Sequence, residues 1–373
     1  MRQDMAASVS RDQFSVHFRC TYKEDNMRHV SELRTRDPFF VTDKENQCYY
    51  LFCNNGAARL DGGPTEGLDI WKTTDFINYD GPYPAYRLPE GAAGKIRHGA
   101  PETHFINGKW YAFDQISGGV LHTDGTYDVD PDAMMGEYVF IADDPKGPYK
   151  VHSEGRVTPG EYRCLDGTPY IDEDGQAWMI YSREWSYQQH SNYEAIRMNS
   201  DFSASEGEPI KCFCSDEPEW AIGSHDRWPG YYDYFPGEPF WVSDAPFIFR
   251  DKAGHLCTLW STRIEDLYVH TFSISKSGKL EGPWEHEKEP MFVDDGGHSM
   301  LFDGLDGIKR IVFHQTDRLG HERISVLPCE ITDHGMRLLD KEMPELVVQG
   351  CKMEGADKEV ADPMGYFGHT DNK

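Results

Sequence analysis

Long hydrophobic runs are missing from this 373-residue chain. None of its apolar stretches approaches the roughly 18–20 residues that a bilayer-crossing helix needs. The first residues, MRQDMAASVSRDQFSVHF, also lack the continuous apolar core of a secretory signal. The expectation is a soluble, cytoplasmic protein, or a secreted or periplasmic one if a leader has been removed. Basic charge is scarce too: 37 Lys and Arg stand against 64 Asp and Glu, a formal net charge of −27. Such a field repels nucleic acid and anionic membranes but leaves a neutral ligand such as a sugar unaffected. Paired cysteine motifs are absent. The nine cysteines are scattered, and Cys212-Phe213-Cys214 has no second half, which argues against a zinc site and for buried free thiols. His98, His104, His225 and His321 fall in no HExxH-like spacing.

What the chain does have is rings and turns. Aromatic residues make up 13% of the sequence, and 35 Gly and 22 Pro are spread along it. At a mean hydropathy of −0.67 the rings must pack between sheets or line a site. Five segments share one pattern, an apolar strand, a polar turn and a second apolar strand: PFFVTDKENQCYYLFCN, THFINGKWYAFDQ, PYIDEDGQAWMIYS, PFIFRDKAGHLCTLWS and MLFDGLDGIKRIVFH. Each reads as a β-hairpin. Their spacing leaves room for four-stranded units and no long helix, which predicts an all-β, five-bladed β-propeller over residues 1–350 with a C-terminal tail over 351–373. ADDPKGPYK and GKLEGPWEH each add a Gly-Pro-aromatic turn.

Aligning the hairpins on Phe40, Phe105, Tyr170, Phe247 and Leu301 and counting back three gives Asp37, Glu102, Gly167, Asp244 and His298, with Asp166 one step before Gly167. Every predicted blade thus carries an ionisable group where its first hairpin strand begins. If that strand is innermost, these groups converge on the axis. Carboxylates gathered in one cleft are costly unless they share protons, bind a cation or do chemistry. Two carboxyls lined by Trp and Tyr suit glycoside hydrolysis, and inversion needs roughly 6.5–9.5 Å between them to admit water.

RDPFF, GAPETHFINGKWYAF, CLDGTPYIDEDGQAWMIY, SDAPFIF and GGHSMLF, in that order over about residues 30–330, make the chain resemble glycoside hydrolase family 43. The resemblance implies an inverting hydrolase releasing α-L-arabinofuranosyl or β-D-xylosyl units from plant-type oligosaccharides. It implies Asp37 as the general base, Asp166 as the residue that orients the acid and raises its pKa, and Asp244 at the position of the acid. It also makes His298 the axial histidine that helps hold a structural calcium or other ion, with no cofactor required for the chemistry. The family's acid is usually glutamate, and Asp244 is one methylene shorter. Glu184, at the end of a return strand, and Glu102 are therefore alternative donors, Glu102 being expected mainly to bind substrate or support the base.

The same strand-return reasoning brings Asn54, Arg183, Trp185 and His314 to the site as substrate-binding residues, with Trp185 and Trp241 as sugar platforms or inter-blade packing. The aromatic stretch over 217–241 is read as a pocket wall or as a loop on the propeller edge. Two alternatives stay open: a propeller that binds glycan without cleaving it, and a glycosidase of the same fold acting on another furanoside such as a galactofuranoside.

Overall fold

The computed structural model describes residues 27–54, 67–92, 95–130, 132–184, 188–225, 237–265 and 267–360. Five antiparallel sheets account for nearly all the regular structure, and no α-helix occurs among the described residues. Blade 1 comprises Arg36–Asp43, Cys48–Asn54, Asp69–Thr73 and Asn78–Pro84, with Met27–His29 added outside. Blade 2 comprises Arg97–Ile106, Lys109–Ser117, Gly136–Ala142 and Lys150–Val151. Blade 3 runs Cys164–Ile171, Ala177–Arg183, Asn192–Met198 and Ser205–Cys214. Blade 4 runs Asp244–Arg250, Leu256–Ile264, Leu267–Ser275 and Trp284–His286. Blade 5 runs Gly296–Asp303, Lys309–Gln315, Arg323–Ile331 and Met336–Leu338. The first strand of every blade contacts the first strands of both neighbours, fifth against first included. The sheets therefore form a closed ring with their first strands innermost, as the five hairpins predicted.

Turn chemistry fixes each hairpin's register. Asn107 and Gly108 take positive φ (50° and 82°) in the two-residue loop of blade 2, the conformation of a type I′ turn. Elsewhere an aspartate closes the turn on itself: Asp43 Oδ1 accepts the Glu45 and Asn46 N–H groups, and Asp172 Oδ1 those of Asp174 and Gln176. Alternate residues then face the adjoining blade, where rings interlock. Phe40, Tyr49 and Phe76 of blade 1 meet Phe302 of blade 5 with centroids 5.0–5.9 Å apart. Trp260 of blade 4 packs with Tyr193 and Phe213 of blade 3. The two Gly-Pro-aromatic turns sit in blades 2 and 4, and a third Gly-Pro-aromatic sequence, Gly81-Pro82-Tyr83, lies within the Asn78–Pro84 strand of blade 1.

Among the described residues, no strand is exchanged between blades 5 and 1 to close the ring. Buried ion pairs hold the seam instead. Arg34 grips Glu322 through two bonds of 3.0 and 3.1 Å, and Arg36 reaches Asp317 at 2.6 Å and Glu322 at 3.4 Å. Arg323, fully buried, donates to the Ser31 and Lys358 carbonyls. The first part of the expected tail is thereby fastened down, since Val360 N–H also bonds Gly320. None of the eight described cysteines forms a disulfide, and five of them are buried.

Candidate active site

Each inner strand carries the same irregularity. The ladder register shifts between Arg36 and Phe39, Gly99 and Glu102, Leu165 and Thr168, Asp244 and Phe247, and Gly297 and Met300. Inside each bulge one residue takes a left-handed conformation: Asp37 (φ 54°), Ala100 (47°), Asp166 (57°), Ala245 (51°) and His298 (56°). A non-glycine residue there costs on the order of 1–2 kcal/mol, and bulges re-aim side chains beside functional sites.

These bulges correct the alignment drawn from sequence. Asp37, Asp166 and His298 are equivalent, whereas the matching residues in blades 2 and 4 are Ala100 and Ala245. Glu102 lies two residues further along its strand and Asp244 one residue earlier. Counting from an apolar residue could not register these offsets, because Phe105 and Phe247 hold different places relative to their bulges. The convergence of the groups survives the correction.

Asp37 is buried, with Oδ1 3.1 Å from His298 Nδ1, 3.5 Å from His314 Nδ1 and 3.9 Å from Arg36 Nε. Burial alone would push its carboxyl up, but His298, Arg36 and His314 together hold it well below the usual carboxylate range. The His298 ring answers in kind: burial lowers its pKa, the Asp37 charge raises it, and the net shift is upward. Behind Arg36, Asp317 is kept strongly acidic against burial by Arg36 and Arg263.

Asp166 has the opposite character. Burial and then the adjacent Asp244, by charge and by hydrogen bond, push its carboxyl well above the ordinary value, against the Ala245 N–H that donates to Oδ2 at 2.9 Å. Asp166 and Asp244 thus face each other as a close carboxyl pair. Asp244 also receives the Tyr268 hydroxyl at 2.6 Å, and it is the more exposed of the two carboxyls. Tyr268 is itself buried, which keeps its phenol protonated as a donor. One ligand atom from each of Asp166, Asp244 and His298 lies within 4.8 Å of the others. Through His298, therefore, Asp37 and the Asp166–Asp244 pair belong to one cluster.

The remaining expected residues divide. Glu102 is buried on the axis, bonded to His104 at 2.8 Å, and His104 touches Phe39 of blade 1 and Phe247 of blade 4. Glu184 is buried and ion-paired with Arg163 at 2.9 Å. Arg183 turns to Glu194 at 3.3 Å and lies 4.1 Å over the Tyr162 ring. His314 does not meet the expectation of sugar contact. Its ring has no exposed surface, accepts the Asp37 N–H, faces Asp317 at 3.4 Å and stacks on Tyr268, so it stands behind the base. Trp185, the Asn54 side chain and residues 226–236 lie outside the described residues. Trp241 stacks on His190 at 4.7 Å and bonds the Ala221 carbonyl, the packing role. Sequence reasoning missed Tyr268, Asp317 and Arg36. Of these only Arg36, adjacent to Asp37, carried a signal, and nothing in the pattern marks a tyrosine on a third strand.

The fit of these residues to an axial cation is limited. Calcium takes about six to eight oxygen ligands, and the cluster offers two carboxylates and an imidazole. An ion bound here would keep most of its water.

A five-bladed propeller with Asp37, Asp166 and Asp244 gathered in one axial cluster carries the set of carboxyls that glycoside hydrolysis uses. The sequence profile described as "Glycosyl hydrolases family 43" matches residues 28–335, and the chain belongs to that family. It hydrolyses O-glycosyl bonds with inversion, so the reading as a binding-only propeller gives way. Among solved structures, the endo-arabinase from Bacteroides thetaiotaomicron VPI-5482 is 31% identical, with TM-score 0.68 over 82% of this chain and 98% of that one. The alpha-L-arabinofuranosidase from Lactobacillus brevis is 17% identical, with TM-score 0.59 over 83% and 94%. An endo-1,4-beta-xylanase from Bacteroides thetaiotaomicron VPI-5482 is 18% identical, with TM-score 0.58 over 83% and 95%. Among curated proteins, none matches the chain.

Proposed function

We propose that the protein cleaves α-L-arabinofuranosyl linkages in arabinose-containing plant oligosaccharides, with β-xylosides as the neighbouring substrate class. The observation that carries the chemistry is one cluster in which two carboxyls are pushed opposite ways: Asp37 is held down by His298 and Arg36, and Asp166 is pushed up by burial and by Asp244. Asp37 takes a proton from the attacking water. Asp244, the more exposed member of the pair, donates to the departing oxygen, and the adjacent Asp166 orients the donor. Glu184 serves the wall of the site, where its carboxylate is engaged by Arg163 at 2.9 Å. Glu102 supports the base from below through its field on His298. The preference for arabinofuranosides is supported by the higher identity to the endo-arabinase than to the xylanase.

An axial calcium, where one binds, would rest on His298, Asp166 and Asp244 chiefly through water and supply positive charge to the cluster. No step above needs it. The test is turnover of aryl α-L-arabinofuranoside, aryl β-xyloside and aryl galactofuranoside, with the product anomer followed by NMR. Arabinofuranoside cleavage abolished in Asp37→Asn supports the proposal. Turnover confined to the xyloside or the galactofuranoside overturns the substrate assignment.

A further inference from the structure

An amide inside a bulge has lost its ladder acceptor and must find another. Opposite the residue that precedes each bulge, on the second strand, stand Asn54, Gln115, Ser182, Ser261 and His314 in turn. Three of them reach to the next blade around the ring. His314 Nδ1 accepts the Asp37 N–H at 3.2 Å, Gln115 Oε1 that of Asp166 at 3.2 Å, and Ser261 Oγ that of His298 at 2.9 Å. At the seam between blades 3 and 4 the pattern changes. Ser182 turns to Ser243, and the Ala245 N–H goes to the Asp166 carboxylate.

Asp166 is therefore held at both ends, by Gln115 at its amide and by Ala245 at its carboxyl. Gln115 has a rigid backing. Its cross-strand partner Glu137 is fully buried, and neither of its carboxyl oxygens has a hydrogen-bond partner. A Cβ at Gly167 would stand 2.6 Å from Glu137 Cγ, so the bulge rests directly on this side chain. Burial first, and then the Asp114 and Glu102 charges, push the Glu137 carboxyl well up, against the nearby Gly167 amide and Arg156.

We propose that Gln115 is a positioning residue for hydrolysis: by accepting the Asp166 amide from the neighbouring blade, it fixes the bulge at the rotation that sets the Asp166 carboxyl on Ala245 and Asp244. The proposal rests on Asp166 and Asp244 being the proton-handling pair. Gln115 touches neither substrate nor reacting atoms. It acts through the direction of one carboxyl.

The experiment compares kcat, KM and the pH profile of Gln115→Met, which fills the space without an acceptor, with Gln115→Glu, which keeps an acceptor oxygen at the same reach. The aryl glycoside is the one that wild type turns over best. Gln115→Met is expected to lower kcat at least tenfold, leave KM within about twofold and displace the alkaline limb that reports the pair. Gln115→Glu is expected to recover most of the loss. Should Gln115→Met fail to fold, Gln115→Asn, one methylene short of the amide, carries the same expectation. Wild-type kcat and pH profile in the variant without the acceptor overturn the proposal. Asp166→Asn separates the two readings. If it is inactive while Gln115→Met is normal, positioning alone fails; if it too is fully active, the assignment of the pair fails.

Discussion

Replacing Asp166 by asparagine should make the protein more stable while removing its activity. Asp166 is buried beside Asp244, and its carboxyl is raised well above the ordinary range by burial first and by Asp244 second. The native state therefore holds a proton that the unfolded chain releases near pH 4, at the ordinary carboxylate value of about 3.9. Below that pH both states are protonated and the group is neutral in the balance. As pH rises toward the native value, the unfolded state gains and folding loses, at about 1.4 kcal/mol for each pH unit. Asparagine keeps an oxygen for the Ala245 N–H and offers Asp244 an N–H without any proton to lose. Removing one carboxyl of the pair should thus return on the order of 1–2 kcal/mol at neutral pH, or a Tm gain of about 2–4 °C per kcal/mol. Thermal unfolding across pH 4–8 measures it. The gain should be small at the acid end and grow with pH, while kcat falls by orders of magnitude. A variant less stable than wild type throughout, or a gain independent of pH, would refute the reasoning.

The other expectations follow from the same contacts. Glu322→Gln leaves Arg34 buried without its bidentate partner at the seam between blades 5 and 1; it should cost about 3–5 kcal/mol in denaturant unfolding. Glu322 is held below its usual range by Arg34 and Arg36 against burial. Its contribution is therefore present above the ordinary carboxylate value and lost as pH falls through the native one, so wild type and variant should converge in acid. Tyr268→Phe deletes the 2.6 Å bond to Asp244 without opening the core, and kcat should drop about tenfold, some 1.4 kcal/mol of barrier, with little change in Tm. Gly167→Ala drives a methyl group into Glu137, and a loss of about 1–3 kcal/mol is expected, read by calorimetry together with a fall in kcat.

The ring of hairpins was legible because each hairpin carries its own signals. Asp43, Asn107, Gly108 and Asp172 announce turns through local side-chain and backbone geometry that a sequence displays directly. Asp37, Asp166 and His298 were legible for a related reason, since each precedes an apolar strand by a nearly constant interval. The interval failed in blades 2 and 4, where the left-handed residue is an alanine. An alanine at positive φ leaves no trace in composition, so Glu102 and Asp244 were placed at equivalent positions they do not share. His314 failed differently. Its position at the end of a second strand was right, but whether that end faces sugar or the back of Asp37 depends on the neighbouring blade.

Contacts between blades explain what the sequence hides, and they also explain why the site is built where it is. A left-handed bulge costs energy that its own sheet cannot recover, because the ladder is interrupted there. The cost is offset only if the adjoining blade supplies an acceptor, as His314, Gln115 and Ser261 do. Closing the ring is thus a condition for forming the bulges, and the bulges are what turn Asp37, Asp166 and His298 toward one another. Fold and chemistry are coupled at these amides. Where the acceptor is Asp166 itself, at Ala245, the carboxyl proposed to orient the donor also secures the start of the strand bearing it. A change that loosens blade 3 against blade 4 should accordingly reach catalysis before it reaches global stability, since the donor's strand moves with the seam.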